Sequence, residues 1–240
     1  MNRNTMRAIA NVCRLDIQRG LGGGKYTALL MVLLLPALAA LMGFSSDNMP
    51  SDMPFGVLTG AGCGMFAMTA MYVFFYESQG KSGWMNGVIP VSRVHQVLGR
   101  YLFMALVAVV MAAELGVCAL IMNAMGGADA GMLWSDADTG IVFGALVPFV
   151  LVESLMYPLL YRFPAQKAII AAMIALFAAL FGFIALTDIL PESAIAGLIE
   201  AVAWLGDHTM ASILASVAAV AAALGVSILC SVRIYRAKEL

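Results

Sequence analysis

Charge is what this sequence lacks most. Lys, Arg, Asp and Glu make up 11% of its 240 residues, against roughly 25% in an ordinary soluble domain. With 62% of residues hydrophobic, a water-soluble fold would have too little polar surface to cover itself. Histidine is nearly absent, with only His95 and His208. Neither has a partner His or Cys at metal-ligand spacing, so no metal centre is expected and zinc proteolysis of the His-Glu-x-x-His kind is excluded. The four cysteines (Cys13, Cys63, Cys118, Cys230) fall in apolar stretches or basic segments, which argues against a disulfide framework. The first 20 residues carry four Arg and no continuous apolar run, unlike a secretory signal peptide.

What is present is a series of apolar stretches of spanning length. A helix needs about 20 residues to cross about 30 Å of hydrocarbon. Six segments qualify: Tyr26–Phe44, Pro54–Tyr76, Tyr101–Ala124, Gly140–Tyr161, Gln166–Thr187 and Met210–Val232. Pro36 and Pro148 lie inside the first and fourth, where a kink is tolerated. The turn Arg162-Phe163-Pro164-Ala165 makes spans four and five an antiparallel hairpin. The expectation is an all-α membrane protein, a single transmembrane domain over residues 1–240.

The charges separate by sign. All 13 Lys and Arg fall before span one, between spans two and three, between four and five, or after six. The other three loops (45–53, 125–139, 188–209) contain no Lys or Arg and hold nine of the 14 acidic residues. By the positive-inside rule both termini are cytoplasmic, and a wrong span count would have scattered the basic residues over both sides.

Two further helices are expected outside the spans. In the leader, residues 1–25, Met6, Ile9, Ala10, Cys13 and Ile17 form an apolar stripe beside Arg3, Arg7 and Arg14, the pattern of an amphipathic helix in a cytoplasmic interface with anionic lipid. In the outer loop at 188–209, the stretch Pro191–Asp207 puts Ile195, Leu198, Ile199, Val202 and Leu205 opposite Glu200 and Asp207; it is too short and too amphipathic to span.

Several motifs carry less than they first suggest. Gly20-Leu-Gly-Gly-Gly-Lys25-Tyr-Thr27 looks like a phosphate loop. Aligned on Gly24-Lys25, however, its leading Gly is Arg19 and its Ser/Thr is Tyr26, and no strand precedes it; a hinge is the simpler reading. Gly56, Gly60 and Gly64 repeat every fourth residue of span two, a face for close packing against another helix of this chain or a second one. Ala105, Ala108, Ala112, Gly116 and Ala119 make a similar stripe in span three. Glu114 and Glu153 are the only acidic residues inside spans, at depths of about 20 Å and about 13 Å from the basic end. The simpler reading is a carboxyl, protonated or hydrogen-bonded, that locks helices together; the other is a substrate- or proton-handling site. The 18 methionines give an adaptable interior.

The loop after span two is the most informative segment. Glu77 closes the span and Trp84 is a bulky apolar residue in a polar loop. Pro90-Val91-Ser92-Arg93 then leads through Val97 to Arg100-Tyr101. Ser92 is a good N-cap and Pro90 fixes the turn before it. Trp84 and Ile89 suggest docking on another protein, or anchoring of Trp84 among headgroups.

In these residues the sequence resembles the small ABC-2-type permeases, membrane subunits of bacterial ATP-binding-cassette exporters. Glu77, Trp84, the Pro90–Arg93 box and Arg100-Tyr101 match that family in order. A second segment, Tyr157 to Phe163 followed by Lys167, also matches, with Pro164 where the family usually has Gly. The resemblance implies an ABC-2 (type V exporter-like) permease fold in the bacterial cytoplasmic membrane. It implies a second permease subunit, as homo- or heterodimer, and separate cytoplasmic ATPase subunits that bind ATP and Mg, so that this chain has no cofactor and is not itself an enzyme. Glu77, Trp84, Pro90, Val91, Ser92, Arg93 and Val97 would couple it to the ATPase. Hydrophobic peptides, lipids and drugs are all compatible substrates, with a slight preference for amphipathic peptides; nucleic acid is not expected. A proton-coupled transporter using Glu114 or Glu153, a membrane enzyme, and a non-transporting sensor or assembly subunit are the alternatives.

Overall fold

A computed structural model describes residues 3–20, 25–44, 53–79, 91–125, 136–189 and 209–237, with single positions between 191 and 200. These form seven helices: α1 (Arg3–Gly20), α2 (Lys25–Phe44), α3 (Met53–Gln79), α4 (Arg93–Met125), α5 (Asp136–Arg162), α6 (Ala165–Ile189) and α7 (Thr209–Ala237). Trp84 and Pro90 lie outside the described residues, as does nearly all of the amphipathic stretch 191–207.

Four helices are long and apolar enough to cross a membrane over described residues: Gly56–Ser78, Arg93–Met125, Val142–Arg162 and Met210–Ala237. The apolar stretches Val32–Met42 and Ala165–Ala175 belong to two further helices, α2 of 20 residues and α6 of 25. α2 and α5 continue as helices through Pro36, Pro148 and Pro158. A tight turn joins α5 to α6, the Phe163 amide donating to the Leu159 carbonyl at 2.8 Å and the Ala168 amide to the Pro164 carbonyl at 3.0 Å.

α4 is the hub, packing against α1, α2, α3, α5 and α7. One stripe of it (Met104, Met111, Leu115, Cys118) is buried through its length. Leu35 of α2 and Leu58 of α3 are equally enclosed. Gly62 allows these helices to meet, since a Cβ there would sit 3.3 Å from Leu35 and 3.4 Å from Leu115. The outward faces of α6 and α7 keep large apolar residues exposed, among them Ile174, Phe181, Leu214 and Leu229, as helices bathed in lipid do.

The basic leader is docked on protein. Ile9, Val12, Cys13, Asp16 and Gly20 of α1 are buried, while Met6 and Ala10 face outward. The inner face is thus rotated from the stripe expected from hydropathy, toward Val12 and a carboxylate. Gly99 explains the approach: a Cβ there would lie 2.6 Å from the Val12 Cβ and 3.1 Å from the Ile9 carbonyl oxygen, so α1 rests on the bare backbone of α4. Exposed Arg7 and Arg14 remain on the outer side.

By contrast, Gly56, Gly60 and Gly64 are exposed, and no described atom lies within 4 Å of a Cβ built at any of them. Within this chain the glycine repeat packs against nothing described, and close packing falls to Gly62 and Gly99 instead.

Candidate functional site: a charged and aromatic clamp at the basic end

The C-terminal ends of α3, α5 and α7 meet the N-terminal end of α4 and the flank of α1. At the centre is Arg100, 5% exposed. Its guanidinium donates to Glu77 Oε1 and lies over the rings of Phe74, 4.7 Å away, and Tyr161, 5.4 Å away. Arg19 reaches the same Glu77 oxygen from α1 at 3.2 Å. Asp16, 1% exposed, lies 3.8 Å from Arg19 and 3.9 Å from Arg100. Two acids and two arginines from α1, α3 and α4 thus form one buried, balanced cluster. Arginine suits the centre because its charge persists when buried and its flat face stacks on aromatic rings.

The aromatic wall extends the clamp to α5 and α7. Tyr157 packs on Phe74 (5.2 Å) and Tyr101 (5.0 Å), and Tyr161 packs on Phe74 (5.1 Å) and Tyr235 (5.2 Å). Hydroxyls lock the rings in place. Tyr101 shares hydrogen bonds with Ser227 at 2.5 Å and Ser231 at 2.9 Å. Ser227 in turn donates to the Ser154 carbonyl, and Tyr157 donates to the Ala70 carbonyl at 3.2 Å. Tyr235 donates to Gln96 Oε1 at 2.7 Å, while Gln96 Nε2 donates to the Val91 carbonyl at 3.1 Å.

The Val91–Val97 segment enters this clamp directly. Ser92 opens α4, its Oγ accepting from the His95 amide at 3.5 Å and its carbonyl from the Gln96 amide at 3.1 Å. Val97 is fully buried. Arg93 turns back onto its own chain: its Nη1 donates to the carbonyls of Tyr235 (3.2 Å) and Arg236 (3.0 Å). Those oxygens belong to the last turn of α7, where helical carbonyls lack intrahelical partners and a cation is favoured by the helix dipole. Arg93 therefore ties the start of α4 to the end of α7.

Asp16 is the residue that sequence reasoning missed. Its signal is the spacing 9, 12, 13, 16, 20 on one face of α1, with the only acid of the leader inside it. Burial pushes its carboxyl up to about 6, reinforced by Glu77 and opposed by Arg100 and Arg19. Its ion pairs are long and Oδ2 accepts no hydrogen bond, so the loss of hydration is poorly offset. The folded-state value is raised, so the contribution of Asp16 to stability is full below its ordinary 3.8 and is lost as pH rises through about 6. Asp16→Asn cannot ionise. Thermal midpoints are expected to show the wild type losing stability relative to that variant between about pH 4 and about pH 6; parallel curves would mean that Asp16 does not titrate there.

The two intramembrane acids lie away from the clamp. Glu153 is wholly enclosed, one turn before Tyr157 on α5, and Glu114 is 6% exposed on α4. Neither carboxyl makes a hydrogen bond among the described residues, and no group of His, Cys, Asp and Glu there could hold a metal ion.

The clamp joins the two sequence segments singled out at the start, Glu77–Tyr101 and Tyr157–Phe163. Arg100 stacks on Tyr161, and Tyr101 stacks on Tyr157. A family model described as ABC-2 family transporter protein matches residues 24–236. The chain belongs to the ABC-2 transporter family. As an ABC-2 permease it is a membrane transport component, and the matched region takes in every helix but α1. No curated protein matches the chain.

Proposed function

We propose that this ABC-2 permease is the non-catalytic, six-span subunit of an ATP-driven exporter, with both termini cytoplasmic. In this reading two permease subunits line the pathway for a hydrophobic or amphipathic substrate. Separate ATPase subunits bind ATP and Mg and act on the segment from Glu77 to Val97. The observation that carries the reading is the clamp: Glu77 and Arg100 hold the two ends of the Trp84-bearing loop together. Arg93, Gln96 and Tyr101 tie the start of α4 to α7. A push on that loop would reach α1, α3, α4, α5 and α7 at once, as alternating access by rigid-body movement requires.

In this reading the residues of the coupling segment have different jobs. Arg93 and Val97 are engaged with the chain's own helices, and Trp84 is the residue that contacts the ATPase. Trp84→Ala is expected to reduce permease-dependent ATP hydrolysis by about tenfold, the loss of a hot-spot aromatic, without changing thermal stability. Arg93→Ala is expected to lower both, because it uncaps α7. Hydrolysis assays beside melting curves separate these outcomes. Trp84→Ala with unchanged stimulation would remove that residue from the coupling surface.

A further inference from the structure

Beyond the clamp, an apolar groove among the described residues ends on an unpartnered carboxyl. It has a volume of about 210 Å³ and runs between α2, α3 and α4 beside the end of α1. Ile17, Gly20 and Phe103 border one end and Glu114 the other. The 11 residues from Phe103 to Glu114 along α4 correspond to about 16 Å. Val32, Leu106 and Val110 form the rim and are 52%, 44% and 37% exposed, so the groove opens sideways, toward the membrane. The single Glu114 side chain supplies an acidic end to a lining whose only other polar side chain among the described residues is Thr69, and both Glu114 oxygens lack a hydrogen-bond partner among those residues. Glu153, equally unpartnered, is wholly enclosed.

An acid nine-tenths buried with both oxygens unpaired is costly in hydrocarbon, and an incoming donor relieves that cost. We infer that the groove binds a single-chain amphiphile bearing a primary amine, which enters from the membrane with its alkyl chain along Phe103–Val110 and its ammonium on Glu114. The size favours one chain over a bulkier ligand: 210 Å³ is below the roughly 300 Å³ at which drug-sized pockets begin. The charge sets the head, since a carboxylate in an apolar wall favours a cationic donor over a neutral or anionic one. This site is distinct from ATPase coupling and stands or falls without it.

The test uses the purified chain alone in phosphatidylcholine nanodiscs, with a diazirine-bearing dodecylamine as photoprobe and labelled peptides mapped by mass spectrometry. Labelling is expected on the Phe103–Val110 and Phe66–Thr69 segments. Dodecylamine should compete about tenfold better than dodecanol, the margin of a charge-assisted hydrogen bond. Glu114→Gln should abolish that preference while leaving residual labelling. Val107→Trp, which fills the groove and keeps the carboxyl, should abolish labelling itself; melting curves confirm that both variants are folded. Equal competition by dodecanol, an unchanged preference in Glu114→Gln, or labelling centred on the Gly56–Gly64 face would each overturn the assignment.

Discussion

Arg100→Met is expected to destabilise the protein by about 3–5 kcal/mol, the scale for removing one partner of a buried ion pair. The loss has two parts. Asp16 and Glu77 would be left beside Arg19 alone, and the rings of Phe74 and Tyr161 would lose the cation between them. Lysine should recover little, because an ammonium cannot both reach Glu77 and lie flat between two rings. A triple variant, Arg100→Met with Asp16→Asn and Glu77→Gln, should regain much of the loss, since the stranded charges are gone. Thermal unfolding in nanodiscs reads all three. An Arg100→Met protein as stable as wild type would mean that the buried cluster does not hold α1, α3 and α4 together.

The second large effect concerns Gly99. A methyl group there would overlap Val12, with 2.6 Å between Cβ atoms. Both neighbours are fixed: Val12 is branched at that carbon, and the Ile9 carbonyl behind it is backbone. Gly99→Ala should therefore push α1 off α4, with the 1–3 kcal/mol cost typical of overpacking. Val12→Ala leaves the Cβ clash in place, so it should rescue only partly; Val12→Gly should rescue more. Trypsin gives a direct readout. Arg19 is tied to Glu77 in the docked state, so cleavage after it should be slow in wild type, fast in Gly99→Ala and slower again in the Val12→Gly double variant. Unchanged cleavage in Gly99→Ala would show that α1 is not seated against Gly99.

These two residues mark the limit of what could be read from the sequence. The apolar lengths and the separation of charge were plain, because water and hydrocarbon treat polar groups so differently. The helical start at Ser92 and the tight turn at Phe163-Pro164 follow from local chemistry in the same way. The facing of each spanning helix did not show. Lipid and protein interior are almost equally apolar, so nothing in the pattern of Gly56, Gly60 and Gly64 said that this face packs against none of the other described residues. Nothing marked Gly99, a lone glycine within a helix, as a contact surface. Glu77 and Arg100 stand 23 positions apart on either side of a loop, and their pairing required the fold. The leader shows the intermediate case: its helix was legible, but the face it packs on α4 is turned by about one position from the apolar stripe, because a buried Asp16 is invisible to hydropathy. The sequence singles out Arg93 as one of the coupling residues. Its guanidinium also caps α7, a role that depends on a helix end more than 140 positions away.

We propose that a separate ATPase acting on the Trp84 loop drives this ABC-2 permease. The most direct test is to purify the chain from its native membrane, reconstitute it with the ATPase that accompanies it, and measure ATP hydrolysis for wild type and Trp84→Ala. The account predicts an associated ATPase whose hydrolysis rises with the wild-type permease and falls back with Trp84→Ala at unchanged stability. A chain that carries no ATPase, and transports on a proton gradient through Glu114 or Glu153 alone, would contradict it.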